Sequence, residues 1–190
     1  MSLPAHDTLM DPITHICSGI LLGQGLRPRT VVRKTTLLVA GLAAFAPDFD
    51  SVSYLWGSDT FYWVHHTYTH TLVGLVLVAL VLAAIESRWI KTLSFPRLLS
   101  LNLIGGAIHL CGDIIALWPL RILWPFSDYD FVLRWTSDFD YVVLAIVVVA
   151  TGLSETDGFQ HRAPWIIVGG FLLLIGYFLF IPGWGAAGGH

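Results

Sequence analysis

Charge is what this sequence has least of. Charged residues make up only 12% of its 190 residues, about half the roughly 25% of a soluble globular domain. That scarcity excludes an ordinary water-soluble fold. Basic excess is lacking too: the net charge is −3, so there is no electrostatic footprint for nucleic acid. Cysteine is nearly absent. Cys17 and Cys111 both lie in apolar segments, which reads them as small buried hydrophobes and excludes a disulfide framework. No short apolar stretch ending in a small-residue cleavage site precedes the first apolar segment, so no removable signal peptide is expected. No internal repeat or low-complexity run stands out, and one domain over 1–190 suffices.

What the chain has instead is apolar residue, 55% of the total, with a mean hydropathy of +0.71. This composition belongs to a polytopic membrane protein. Six apolar segments stand at about 13–26, 35–47, 71–86, 98–118, 140–153 and 164–182. The third, fourth and sixth approach the roughly 20 residues that cross the hydrocarbon. The other three are shorter: they either span with flanking help or a thinned bilayer, or stop partway across. The predicted fold is all-α, a membrane bundle of about six transmembrane helices with a metal cluster near one membrane face.

Orientation follows from the cations. Arg27, Arg29, Arg33 and Lys34 fall between the first two segments, Arg88, Lys91 and Arg97 between the third and fourth, and Arg162 between the last two. These are alternate loops, which the positive-inside rule places in the cytoplasm. Arg121 and Arg134 alone fall on the other face, with two long loops at about 48–70 and 119–139. The protein is thus expected in the inner membrane.

The polar residues converge on that outer face. His15 lies near the outer start of the first helix, and Asp48 and Asp50, in "APDFDS", close the second. His65, His66 and His70, in "VHHTYTHT", stand at the mouth of the third, and His109 and Asp113, in "IHLCGDII", occupy the outer half of the fourth. His109 and Asp113 are four apart, so a helix stacks them on one face where both can grip an ion; His66 and His70 share that spacing. A single histidine in an apolar helix is ordinarily a hydrogen-bonded core residue. Asp113 weighs more, because an ionisable residue inside a membrane helix costs roughly 2.5–3.5 kcal/mol on insertion scales. The joint placement predicts a site for two or three ions; these ligands suit zinc, and also manganese or iron, and do not by themselves choose the metal. The Trp-rich stretch "LWPLRILWPF" reads as an interfacial aromatic belt.

The motifs "MDPITHICSG", "PDFD", "HHTYTHT" and "HLCGDIIALWPLRILWPFS", in this order, resemble those of the YdjM-like family. That family is described as LexA-regulated, membrane-bound, metal-dependent hydrolases, related to zinc-dependent phospholipase C and P1-type nucleases. The resemblance covers about residues 10–127, and its opening Met-Asp matches Met10-Asp11. It implies His15, Asp48, His65, His70, His109 and Asp113 as metal ligands, with Asp50 next in line. The chain departs from the pattern at three places. His66 stands where the family has an arginine, Thr67 replaces a glycine, and Ser51 replaces a frequent histidine.

The expected chemistry is metal-assisted hydrolysis of a lipid-borne phosphoester drawn from the membrane lipids. Asp50 or His66 would serve as general base or acid, and Arg121 would meet the phosphate. Two other classes share some of these features. The histidine cluster is similar to one box of the membrane di-iron desaturases and hydroxylases, though those use several. A metal or proton transporter could use His109 and Asp113, though paired repeats with broken helices are lacking.

Overall fold

The apolar segments fold as helices, with a further short helix between the second and third of them. The computed structural model describes residues 12–26, 33–116, 119–136, 139–156 and 159–180, apart from the side chains of His66 and Gln160. Its α-helices are α1 (Pro12–Leu26), α2 (Arg33–Phe45), α3 (Ser58–Val64), α4 (Leu72–Trp89), α5 (Phe95–Ile115), α6 (Tyr141–Glu155) and α7 (Ala163–Phe180). Among the described residues α4, α5 and α7 are long and apolar enough to cross a membrane. The first, second and fifth segments form the shorter α1, α2 and α6, of 15, 13 and 15 residues. Arg27, Arg29 and Met10-Asp11 lie outside the described residues.

Small residues set the packing. α2 is sandwiched between α1 and α5. A Cβ added at Gly19 of α1 would sit 2.5 Å from Ala44 Cβ, and one at Gly105 of α5 would sit 2.5 Å from Ala43 Cβ. Glycine facing alanine lets the backbones approach, which is how helices associate where lipid removes the hydrophobic drive. α4 packs on α5, while α6 and α7 pack on α1 and on each other. Leu77, Val81, Leu172, Leu173 and Leu179 remain exposed, an apolar exterior suited to lipid.

Hydrogen bonds fix which helix ends share a side. The Arg33 guanidinium donates to the Ser154 carbonyl at 3.2 Å and pairs with Glu155 at 2.7 Å. The start of α2 and the end of α6 therefore meet. At the other end, the Leu72 amide opening α4 donates to the Ile122 carbonyl at 2.8 Å. Thr71 caps α4 by accepting from the Gly74 amide, and Asp140 caps α6 by accepting from the Val142 and Val143 amides. Each satisfies donors that a helix start leaves open.

The stretch after α5 is more than an aromatic belt. Leu133 and Trp135 donate to the last carbonyls of α5, at 2.7 and 2.8 Å, so the chain folds back over that terminus. Leu120 is fully buried and packs with Leu75 and Leu110. The Trp124 ring meets Tyr68 edge-on at 5.3 Å. The segment has partly core character and lies across the mouth of α4, with Leu123 and Phe126 exposed. Leu117 and Trp118 lie outside the described residues.

The expected outer loop at 48–70 is also largely helical. Residues Ala46–Trp56 wind as a 3-10 helix, Ser58–Val64 as α3, and His65–Thr69 as a single π turn. Pro47 lacks the amide that a continuing α-helix needs, and the chain tightens there. Gly57, at φ 109°, ends the 3-10 stretch in a conformation that favours glycine.

Candidate metal centre

The two irregular turns aim the candidate ligands. A 3-10 helix has three residues per turn, so every third residue is eclipsed. Phe49, Val52 and Leu55 accordingly form one exposed ridge, 56%, 57% and 81% accessible, while Asp50 and Ser53 lie beneath it with Asp48. In the π turn, residues five apart come onto one face. His65 and His70 therefore stack, their ring centroids 3.7 Å apart. The four-residue spacing had paired His66 with His70; the wider turn brings His65 to the face of His70. The His66 side chain lies outside the described residues.

Seven expected residues meet in one buried cluster: His15, Asp48, Asp50, His65, His70, His109 and Asp113. They come from α1, the 3-10 helix, the π turn and its exit, and α5. Asp113 reaches His15 Nε2 at 3.2 Å, His70 Nε2 at 3.3 Å and His109 Nε2 at 3.1 Å. Asp48 lies 3.8 Å from His70 Nε2 and 3.5 Å from His109 Nε2. Asp50 contacts His65 Nδ1 at 3.0 and 3.1 Å and His70 Nδ1 at 3.6 Å. These contacts form three overlapping triads, each able to hold a metal ion: His15–His109–Asp113, Asp48–His70–His109 and Asp50–His65–His70.

Neighbouring groups decide which nitrogens face the centre. His109 Nδ1 donates to the Ala44 carbonyl at 2.7 Å, so in the neutral ring its lone pair is on Nε2. Thr69 donates its hydroxyl proton to Asp50, and its oxygen accepts from His70 Nδ1 at 2.9 Å. The His70 lone pair is then on Nε2 as well. These two Nε2 atoms lie 2.9 Å apart. Two lone pairs at that distance repel unless a cation, or a proton on one of them, stands between them. Fixing a ring through its other nitrogen is the usual support of a histidine ligand.

The charge balance makes the same demand. Three carboxylates are buried here, and burying ions without partners costs several kcal/mol each. Asp48 Oδ2 and Asp113 Oδ2 are buried and accept no hydrogen bond among the described residues. Burial alone would raise the Asp50 carboxyl, yet hydrogen bonds from His65 and His70 hold it well below the usual carboxylate range. Burial would likewise hold His70 neutral, but Asp113 and Asp50 outweigh it and raise its pKa above that of ordinary imidazole. The pocket is short of positive charge. Its nitrogen and carboxylate donors fit zinc, manganese or iron.

Arg121 stands apart from the cluster. It is exposed and pairs with Asp130 at 3.3 Å. Sequence reasoning passed over Thr69 and the Ala44 carbonyl, which set the tautomers of His70 and His109. Thr69 sits inside the histidine motif and could have been found as its hydroxyl neighbour; nothing in the sequence marks a particular backbone carbonyl.

Comparison with known proteins agrees with a membrane protein. A family model described as YdjM inner membrane protein matches residues 10–185. The chain is also similar to an uncharacterized protein, YfhP, of Bacillus subtilis (strain 168), at 25% identity over 177 residues. That match covers 90% of this chain and 53% of the relative, so the chain spans about half the length of the curated protein it matches. No solved structure matches it.

Proposed function

The chain belongs to the YdjM inner membrane protein family, and from that premise we propose that it is a membrane-embedded, metal-dependent hydrolase. Its substrate is a phosphoester of a lipid or lipid-like molecule. The observation that carries the reading is the 2.9 Å approach of His70 Nε2 to His109 Nε2 among buried carboxylates. His15, Asp48, His65, His70, His109 and Asp113 would hold two or three ions, zinc first. When bound, zinc supplies a Lewis acid that lets water deprotonate near pH 7 and draws charge from phosphoryl oxygens.

The protein's own groups do the rest. Ala44 and Thr69 hold His109 and His70 in the tautomer that ligates. Asp50 steadies His65 and, through Thr69, His70; we assign Asp50 and His66 to proton transfer. Arg121 would exchange Asp130 for the anionic head group. The exposed ridge of Phe49, Val52 and Leu55 would meet the acyl region beside the carboxylates. In this reading all six longer helices span the membrane, and the cluster faces the extracytoplasmic side.

Purified protein should hydrolyse at least one member of a panel of lipid phosphomonoesters and phosphodiesters. Chelation should abolish the activity, and zinc or manganese should restore it. A folded, metal-loaded protein inactive on the whole panel would refute the hydrolase. Iron as the native metal would instead favour the di-iron reading, and metal flux into liposomes would favour transport.

A further inference from the structure

A cavity of about 260 Å³ lies beside the metal cluster, walled by α1, α5, α6 and α7. One of its walls is His15, which also contacts Asp113. The other walls are almost entirely apolar, among them Val147 of α6 and Phe171 and Phe178 of α7. α5 and α7 both pack on α1, and the cavity lies between them. Two of its rim residues, Cys111 of α5 and Ile175 of α7, are exposed, so its side is open to whatever surrounds the helices. Among the described residues, α5 and α7 are two of the three helices able to cross a membrane, which makes those surroundings hydrocarbon.

We infer that this cavity binds one alkyl chain of the substrate, entering from the bilayer between α5 and α7, while the polar end lies at His15. This rests on the lipid phosphoester reading and adds where the chain goes. The hydrogen-bonding side chains on its wall are those of Thr14, His15, Ser18, Trp135 and Thr136, and the rest of the wall is apolar. A polar occupant would leave its own groups unpaired against the rest of the wall. Along α5 the lining runs from Ile115 back to Ile108, two turns or about 10 Å. An extended chain advances about 1.2 Å per bond, so about eight methylenes fill the depth. Thr136, on the rim, donates to Asp140, which also accepts from Tyr177 at 2.7 Å. That bridge ties the α5–α6 segment to α7 and fixes the mouth.

Cys111 gives a readout independent of turnover. Purified protein in nanodiscs would be treated with N-ethylmaleimide, with Cys111 labelling followed by mass spectrometry and Cys17 as the internal comparison. The probes are n-alkyl phosphonates from butyl to tetradecyl, compared at equal concentration in the bilayer. Protection of Cys111 should grow with chain length to about tenfold and level off near octyl. Ile175→Trp, at an exposed rim position, should move the levelling point to shorter chains; Val147→Phe should do the same from the buried wall. Protection that ignores chain length, or an unchanged levelling point in folded Ile175→Trp, would overturn the inference. Length-dependent protection without phosphoester hydrolysis would refute the hydrolase reading and leave the chain site standing. Hydrolysis with no length dependence would do the reverse.

Discussion

Removing one hydroxyl, in Thr69→Val, should loosen the metal centre without touching a ligand. Thr69 donates to Asp50 and accepts from His70 Nδ1 at 2.9 Å. Valine keeps the shape and loses both bonds. A hydrogen bond to a charged group contributes about 1.5–3 kcal/mol, and His70 would also gain freedom to place its proton on Nε2, where it cannot ligate. Loss of such outer support ordinarily costs 10–100-fold in metal affinity, and the structure places Thr69→Val within that range. The assay is zinc competition against a chromophoric chelator, run on wild type, Thr69→Val and Thr69→Ser. Serine should restore most of the affinity, because it restores the hydroxyl. If Thr69→Val binds zinc like wild type while folding normally, the tautomer assignment for His70 is wrong, and with it the reason for a cation at the Nε2 pair.

Three other outcomes follow from the same geometry. Asp113→Asn removes one charge about 3.1–3.3 Å from three ring nitrogens and should lower zinc affinity about a thousandfold or more, since even unit charges 4 Å apart attract by about 4 kcal/mol at an effective dielectric of 20; exposed Asp130→Asn should leave it unchanged. Gly105→Val should destabilise the fold by about 1–3 kcal/mol, read as a lower thermal midpoint in detergent, because the new side chain meets Ala43 and Ala44. Gly169→Ala, with nothing within 4 Å, is its control. A cysteine at Ser58, at the cluster end, should react with an impermeant thiol reagent from outside, and one at Thr92 only after the membrane is opened; the reverse pattern would move the site to the cytoplasmic face.

The helices were legible because lipid imposes one requirement, a run of apolar residues, and composition states it directly. The clustered residues were legible because polar residues are conspicuous in such runs: His109 and Asp113 stand out on α5 by spacing alone. The pairing of His65 with His70 was not available from α-helical spacing, since it depends on a π turn that spacing rules do not anticipate. The inward placement of Asp50 depends likewise on the 3-10 winding after Pro47. The fold-back after α5 was not legible because its aromatics suit an interface as well as a core, and only the backbone bonds of Ile122, Leu133 and Trp135 show where it goes. The cavity beside His15 arises from four helices meeting, and no local pattern encodes such a gap.

The central claim is that this buried cluster binds metal, and elemental analysis of the purified protein tests it most directly. Protein prepared in detergent without added metal or chelator should carry at least two transition-metal equivalents per chain, chiefly zinc, and His109→Ala should carry markedly less. A folded wild-type protein with no bound metal, or a His109→Ala variant with the full complement, would contradict it.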